Sequence, residues 1–343
     1  MRKYERTIVF TKVPLTGYYR YKDIFQIFPA AFENMPDNPY KRHYPNILEY
    51  WFTDEEKIIR ETEYENLREL MSLTATTITK QDKIISLLNS FTNNKFFKYD
   101  NFDGLWAIPV LFNEETKEIS EEVNSLSAQW CYEGFRFPSL PSQLQITEFT
   151  KIKLNEVEKL PHYTFYLHYP SLDNDRTEPI VFPASFEKIL DSYFSLDNEI
   201  LNIIDAAIGY NNAAIELLPQ KKTLALLASF TAMETMVNLE YRDVEAEKCE
   251  KCGQLKFSVT RKFKEYLLKY IGHSAENKKK FNSYYNLRSK IVHTGMRLKA
   301  EILFSEFAKE ELDDEYITRV EILQVGKLAI ANWLIQNSKI KSL

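Results

Sequence analysis

The chain has 343 residues, of which 44% are hydrophobic and 27% are charged, and its formal net charge is −5. This length predicts two domains with substantial cores, while an acidic total by itself argues against a nucleic-acid-binding protein. Only 8 glycines occur, and they form neither GxGxxG nor GxxxxGK[ST], which excludes Rossmann and P-loop phosphate sites.

The first half of the sequence mixes strand-like and helix-like segments. Aromatic and β-branched residues predict strands at 7–12, 47–52, 105–112, 128–137 and 163–169. Apolar periodicity predicts helices at 54–72 and 78–92, and 183–190 is interpreted as a short helix or a linker. We therefore expect an N-terminal α+β domain over residues 1–190, whose role as sensor, regulator or substrate selector the sequence leaves open.

The second half of the sequence is predicted to be helical throughout. Apolar residues recur at i, i+3, i+4 and i+7 in the segments 197–217, 221–241, 258–271, 275–293 and 314–337. Helices joined by short links are typical of a bundle, so we expect an all-α helical bundle over residues 191–343. The acidic run Asp313-Asp314-Glu315 is interpreted as the N-terminal cap of the last helix.

The predicted helix 275–293 places a cation within an apolar surface. Its apolar stripe consists of Phe281, Tyr284, Tyr285 and Val292, with Leu287 and Ile291 beside it. Arg288 falls in the middle of this stripe, and a buried guanidinium without a partner would cost several kcal/mol. We therefore expect Arg288 either to pair with another group or to face a polar cavity.

His293 lies near the end of the same helix, one turn after Ser289 and two turns after Asn286, and Gly295 follows it. In a structural interpretation, Arg288 forms a salt bridge with a neighbouring helix and the helix dipole favours His293 at the C-terminus. In a functional interpretation, the arginine and the histidine belong to one site. Their spacing alone does not decide between the two.

The stretch Tyr285–Gly295, YNLRSKIVHTG, resembles the signature of the HEPN superfamily, which is R-x4-6-H near the end of a helix in a small helical bundle. It is most similar to the Apea-like HEPN group. Two further segments resemble that group: 226–241, a helix with the embedded Glu234, and 249–272, a cysteine pair followed by a helix. The resemblance covers about 195–340, and Ser289 stands where most HEPN nucleases have asparagine.

The resemblance implies a metal-independent endoribonuclease that needs no cofactor for catalysis. Arg288 would stabilise the phosphate and His293 would act as general acid or base during attack by a ribose 2′-OH. The residues expected to bind substrate are Ser289, Asn286, Tyr285 and Lys290. Family members place this helix at a two-fold interface, which implies a homodimer. The implied substrate is tRNA or another RNA, in prokaryotic anti-phage defence or a toxin–antitoxin setting, with an unknown phage-derived trigger or regulatory partner.

Two other functions remain open from the sequence. The bundle could be a non-catalytic HEPN dimerisation or partner-binding module, in which Arg288 and His293 stabilise an interface. It could also be a nucleotide-binding sensor, in which the basic face of the helix holds a small phosphate ligand. Weaker association of His293→Ala would favour the first function, whereas intact dimers of this variant without cleavage would favour the nuclease. Saturable nucleotide binding without RNA affinity would favour the second function.

Cys249 and Cys252 form half of a zinc site, since a closed structural site needs four ligands. His273 or the same pair from a second copy could complete it, and a metal-free turn is an equal alternative. Another histidine pair, His162 and His168, is interpreted as structural. Three cysteines in all, the lack of a membrane-spanning run and an N-terminus unlike a signal peptide lead us to expect a cytoplasmic protein without membrane contact.

The net charge is distributed unevenly along the chain. Residues 1–194 carry 22 basic and 29 acidic side chains, whereas 248–299 carry 14 basic and 3 acidic ones, a net charge of +11. A surface this basic beside a phosphodiester site would attract RNA, although a solvated lysine-rich surface has the same composition. The acidic total therefore does not exclude a nucleic-acid substrate.

Overall fold

In a computed structural model, the chain forms two compact units, each with its own buried core. The structure describes residues 2–33, 35, 43–53, 63–98, 139–168, 178–244, 259–302 and 307–337, without the side chains of 63–76 and 168. The first unit comprises Met1–Leu88, Asn94–Lys159 and Asp175–Val181. The second comprises Asn89–Asn93, Leu160–Asn174 and Phe182–Leu343.

A four-stranded antiparallel sheet lies in the first unit, with the strand order β1-β4-β3-β2. Its strands are β1 (Arg2–Thr11), β2 (Tyr19–Tyr21), β3 (Phe25–Pro29) and β4 (Tyr44–Thr53). The register places Ile8 opposite Ile47, a pair of β-branched residues that packs well on a pleated surface. The strands predicted at 7–12 and 47–52 correspond to β1 and β4.

Glu49 on β4 is fully buried and joins three strands of the sheet to a loop. Its carboxylate pairs with Arg6 on β1, with Nη2 2.6 Å from Oε1, and accepts from Gln26 on β3 at 2.6 Å. Thr150 donates its backbone N–H at 2.9 Å and its hydroxyl at 2.7 Å to the same carboxylate. The buried charge is therefore well partnered, which is the condition for keeping a carboxylate inside a protein.

Two helices follow the sheet along the chain: α1 (Glu63–Thr92) and α2 (Leu140–Gln143). The two helices predicted at 54–72 and 78–92 are separated around 73–77, but α1 is continuous there. No proline or glycine interrupts it, and the low helix propensity of threonine is too small a penalty to end a helix. Residues 54–62 and the strands predicted at 105–112 and 128–137 lie outside the described residues.

The strand predicted at 163–169 is wrong, because this segment forms helix α3 (His162–His168). Phe165 and Tyr166 are buried while Tyr163 and Leu167 are exposed, which is a helical pattern and not an alternating one. The backbone N–H of Phe165 donates to the carbonyl of Pro161 at 2.8 Å, and this bond closes the first turn. Aromatic residues suit both structures, so composition alone misleads here.

The second unit is mostly helical, as predicted. The short strands β5 (Lys159–Leu160) and β6 (Phe182–Pro183) pair, and the segment interpreted as helix or linker at 183–190 leads into a helix. The helices are α4 (Phe186–Tyr193), α5 (Asn198–Leu217), α6 (Lys222–Glu240), α7 (Val259–Ile271), α8 (Ala275–Thr294) and α9 (Lys309–Asn337). An α+β part followed by a helical part is therefore confirmed. Among the described residues, no helix is long and apolar enough to cross a membrane.

Capping residues stabilise the N-termini of α5 and α8, and a glycine ends α8. The side chain of Asp197 accepts the N–H of Ile200, and that of Ser274 accepts the N–H of Asn277, both at 2.9 Å. Gly295 ends α8 in the left-handed conformation, with φ 67°, which glycine adopts without steric cost. These local signals place α8 within one residue of its predicted bounds.

The start of α9 differs from the prediction, because the helix begins at Lys309 and not at 314. Asp313-Asp314-Glu315 is therefore not its cap, and Glu310 and Glu311 occupy the first turn instead. Glu315 accepts the backbone N–H groups of Lys299, at 2.6 Å, and Ala300, at 3.1 Å. The first turn of α9 is polar, so hydrophobic periodicity gave no sign of it.

Candidate functional site

Arg288 on α8 forms an ion pair with Glu234 on α6. Its Nη2 donates a hydrogen bond to Glu234 Oε2 at 3.0 Å, and its Nε lies 2.9 Å from Oε1 without meeting hydrogen-bond geometry there. A charge-assisted hydrogen bond of this kind orients the guanidinium. The side chains are 22% and 23% exposed, so solvent reaches the pair. Among the described residues no group accepts a hydrogen bond from Nη1, so this nitrogen can donate to a further acceptor.

Arg288 lies on the covered side of α8, as the apolar stripe predicts. Phe281, Tyr284 and Ile291 are buried in the same region. Val292, which was predicted to belong to the stripe, is 46% exposed, so that part of the prediction is wrong. The covered side of α8 is narrower than the sequence pattern suggests, because neighbouring helices cover only part of its circumference.

His293 is exposed in the last turn of α8. It follows Arg288 by five positions, so the two side chains leave the helix about 140° apart. Asn286 lies seven residues before the histidine and therefore shares its exposed side, as does Lys290. One chain thus presents the guanidinium and the imidazole on different sides of one helix.

The four residues predicted to bind substrate lie in different environments. Asn286 and Lys290 are exposed and line a cavity between α8 and α9. Tyr285 is half-buried, with its ring centroid 5.5 Å from that of Phe263 on α7. Ser289 is also half-buried. Asn286 and Lys290 therefore lie with His293, whereas Tyr285 packs within the bundle.

The cavity between α8 and α9 has a volume of about 550 Å³ and contains a residue that the sequence analysis missed. Arg319 on α9 lines this cavity and is only 4% exposed. The sequence signal that could have revealed it is a cation within an apolar helical stripe, as for Arg288. Arg319 lies three and four positions before Ile322 and Leu323, on the same buried side of α9.

His162 connects three helices of the second unit through side-chain hydrogen bonds. Its Nδ1 lies 2.5 Å from Ser185 Oγ and its Nε2 lies 2.8 Å from Asn332 Oδ1. Asn332 donates Nδ2–H to the carbonyl of Tyr270 at 2.6 Å, so its Oδ1 must be the acceptor from Nε2–H. Nδ1 then accepts the hydroxyl proton of Ser185. This network agrees with the structural role predicted for His162, while the side chain of His168 lies outside the described residues.

The stability of the second unit is expected to depend on the protonation of His162. Burial lowers its pKa from the ordinary value of 6.5, opposed by the hydrogen bond to Asn332 and assisted by Lys188. As the pH falls through 6.5, the unfolded chain takes up a proton that the folded chain refuses, so stability decreases. Urea unfolding at pH 7.5 and pH 5 should show this loss in the native chain, below about 1 kcal/mol for a partly exposed group. His162→Gln should show a smaller loss of stability between the two pH values, whereas the control His273→Gln should show the same loss as the native chain. An unchanged pH dependence in His162→Gln would contradict the role given to His162.

The predicted zinc ligands Cys249 and Cys252 lie outside the described residues. His273, the additional candidate, is exposed. Within the part of the chain that the structure describes, no group of three or more His, Cys, Asp or Glu residues could hold a metal ion. Binding of zinc by the cysteine pair therefore stays a prediction.

Comparison with protein-family models, with curated proteins and with solved structures gave no match. The resemblance to HEPN proteins therefore stays a prediction from the sequence, carried by residues that lie on α6 and α8, namely Glu234, Arg288 and His293.

Proposed function

We propose that the second unit is a metal-independent endoribonuclease of the HEPN type. The observation that carries this proposal is the arrangement on α8, where a guanidinium oriented by Glu234 precedes an exposed histidine by five residues. A phosphodiester cleavage site needs a fixed cation and an accessible group that exchanges protons near neutral pH. Arg288 and His293 are the residues proposed to supply them.

In the proposed reaction a ribose 2′-OH attacks the adjacent phosphorus. The O2′–P bond forms and the P–O5′ bond breaks, which gives a 2′,3′-cyclic phosphate and a 5′-OH. The 2′-OH proton leaves to a base, and O5′ receives a proton from an acid. His293 is accessible for one of these transfers, and the open Nη1 edge of Arg288 can donate hydrogen bonds to the phosphate as negative charge develops.

A second copy of the chain would bring the two functional groups together. Because Arg288 and His293 leave α8 about 140° apart, one protomer does not direct both at a single phosphate. A two-fold axis beside α8 would place His293 of one copy near Arg288 of the other. We therefore propose a homodimer through the helical bundle, with one histidine available as base and the other as acid.

The exposed side of α8 supports RNA as the substrate. Lys279, Lys290 and His293 lie on this side, and the two lysines have no partner among the described residues. Lys280, in contrast, pairs with Glu321 at 3.2 Å. Exposed unpaired lysines contact phosphates readily. We propose tRNA or another RNA as substrate, in a cytoplasmic anti-phage or toxin setting in which the first unit selects substrate or responds to a trigger.

The test is incubation of the purified full chain with tRNA and total RNA in the presence of EDTA. We expect cleavage that leaves 2′,3′-cyclic phosphate and 5′-OH ends, and a loss of about 10²–10⁴-fold in His293→Ala, the usual contribution of a general acid or base. His273→Ala is the matched control, because His273 is also exposed and lies in the same unit. It should cleave like the native chain.

Equal cleavage by the native chain and His293→Ala would refute the proposal, as would a lack of cleavage under every activating condition, including expression in cells. The ion pair within one chain favours a second candidate, a non-catalytic HEPN module that uses Arg288 for packing. That function predicts that His293→Ala weakens self-association, whereas the nuclease proposal predicts intact dimers without cleavage.

A further inference from the structure

The cavity between α8 and α9 is built from basic, acidic and apolar groups of the second unit. Its walls come from α8, from the segment 296–299 and from the first three turns of α9. Its volume of about 550 Å³ lies in the range of small-molecule sites. It is distinct from the Arg288–Glu234 pair, neither member of which lines it.

Arg319 is the least usual residue of this cavity. It is 4% exposed, and its Nε and Nη1 have no hydrogen-bond partner among the described residues. The Tyr316 ring centroid lies 5.5 Å from its Cζ, so a cation–π contact offsets part of the cost of burial. A buried guanidinium with open donors is costly unless a strong acceptor meets them, and phosphate oxygens match its fork-shaped donor set.

The carboxylates of the cavity do not neutralise Arg319. Glu311 pairs with Lys299, with Oε1 2.8 Å from Nζ, and the hydrogen bond from this lysine lowers the pKa of Glu311. Both oxygens of Glu315 accept backbone N–H groups. Asp314 also lines the cavity, and its carboxylate has no partner among the described residues.

The remaining groups favour a ligand with a phosphate and an organic part. Lys290 and Arg297, both exposed and unpaired among the described residues, add positive charge at the rim. The apolar side chains of Leu287, Met296 and Leu298 line the same space. An apolar surface next to cations suits a base and its phosphate, and the free carboxylate of Asp314 can accept from a ribose hydroxyl or an amino group.

We propose that this cavity binds a nucleotide and that Arg319 is the ligand of its phosphate. The proposal depends on the cavity and on the buried arginine, and not on ribonuclease activity. The nucleotide is either a free mononucleotide or one unit of a bound RNA chain, since both carry the same phosphate and base.

The experiment measures binding to the purified full chain by calorimetry and by thermal shift. The probes are AMP, adenosine, inorganic phosphate and a short 2′-O-methyl RNA, which cannot undergo attack by a 2′-OH. We expect saturable binding of AMP, weaker binding of phosphate, and at least about 10-fold weaker binding of adenosine, because hydrogen bonds to a charged group are lost. Arg319→Met should reduce AMP affinity by about 10–100-fold. Without ligand, this variant should melt no lower than the native chain, since it removes a buried charge.

A lack of AMP binding by the native chain up to about 10 mM, or unchanged affinity in Arg319→Met, would overturn the proposal. If Arg319→Met does not fold, Lys290→Gln and Arg297→Gln provide the test, with affinity falling about 2–5-fold in each. Lys278→Gln, which changes an exposed lysine of α8 outside the cavity, is the matched control and should bind AMP normally. Competition between AMP and the 2′-O-methyl RNA would identify RNA as the source of the nucleotide, and independent binding would identify a free nucleotide.

Discussion

Replacing Glu49 with alanine is expected to lower the free energy of unfolding of the first unit by about 3–5 kcal/mol. The carboxylate is fully buried and holds Arg6, Gln26 and Thr150. Its removal leaves the Arg6 guanidinium, whose side chain is only 14% exposed, without its counter-charge, and takes an acceptor from three further donors, one of Gln26 and two of Thr150. Urea unfolding of the purified chain, followed by tryptophan fluorescence, measures the loss.

The matched control is another glutamate of the first unit. Glu156 pairs with Lys159 at 2.7 Å, but the two side chains are 61% and 38% exposed. Such a surface pair contributes at most about 1 kcal/mol, so Glu156→Ala should have little effect. If Glu49→Ala unfolds at the same urea concentration as Glu156→Ala, the buried network does not stabilise the sheet and our account of it is wrong.

Substitutions of Arg288 and Glu234 are expected to separate catalysis from stability. Arg288→Ala should lower RNA cleavage by about 10²–10³-fold, the usual effect of removing a donor to a developing negative charge. Arg288→Lys keeps the charge but loses the planar guanidinium, which can bond Glu234 and a phosphate at the same time, so it should retain only part of the activity. Glu234→Ala removes the group that orients the guanidinium and should lower RNA cleavage by a smaller factor, about 10-fold.

A double-mutant cycle makes this prediction decisive. If Glu234 acts only by orienting Arg288, then Glu234→Ala combined with Arg288→Ala should cleave no more slowly than Arg288→Ala alone. The control is the ion pair between Lys280 and Glu321, because Lys280→Ala also removes a cation from α8. Lys280→Ala should change the stability of the second unit slightly and should leave the rate of RNA cleavage almost unchanged. Cleavage that simply follows the folded fraction in every variant would support a structural role for Arg288.

Helix positions in the second unit could be predicted because their signals are local. The period of apolar residues and Gly295 as C-terminal stop predict α8 within one residue of its observed bounds. The same approach failed at α3, where aromatic residues suit both a helix and a strand, and at the polar first turn of α9. At α3 the burial of Phe165 and Tyr166 decides the structure, whereas the exposed first turn of α9 has no apolar pattern to reveal it.

The sequence by itself determined that the chain is α+β followed by helices, that Arg288 needs a partner and that the basic charge concentrates in 248–299. Only the tertiary structure decided which partner Arg288 meets, because Glu234 is 54 residues away. It also decided that Val292 is exposed and that Arg319 is buried beside a cavity. Periodicity records which side of a helix is apolar, whereas ion pairs and cavities depend on which helices pack together and at what distance.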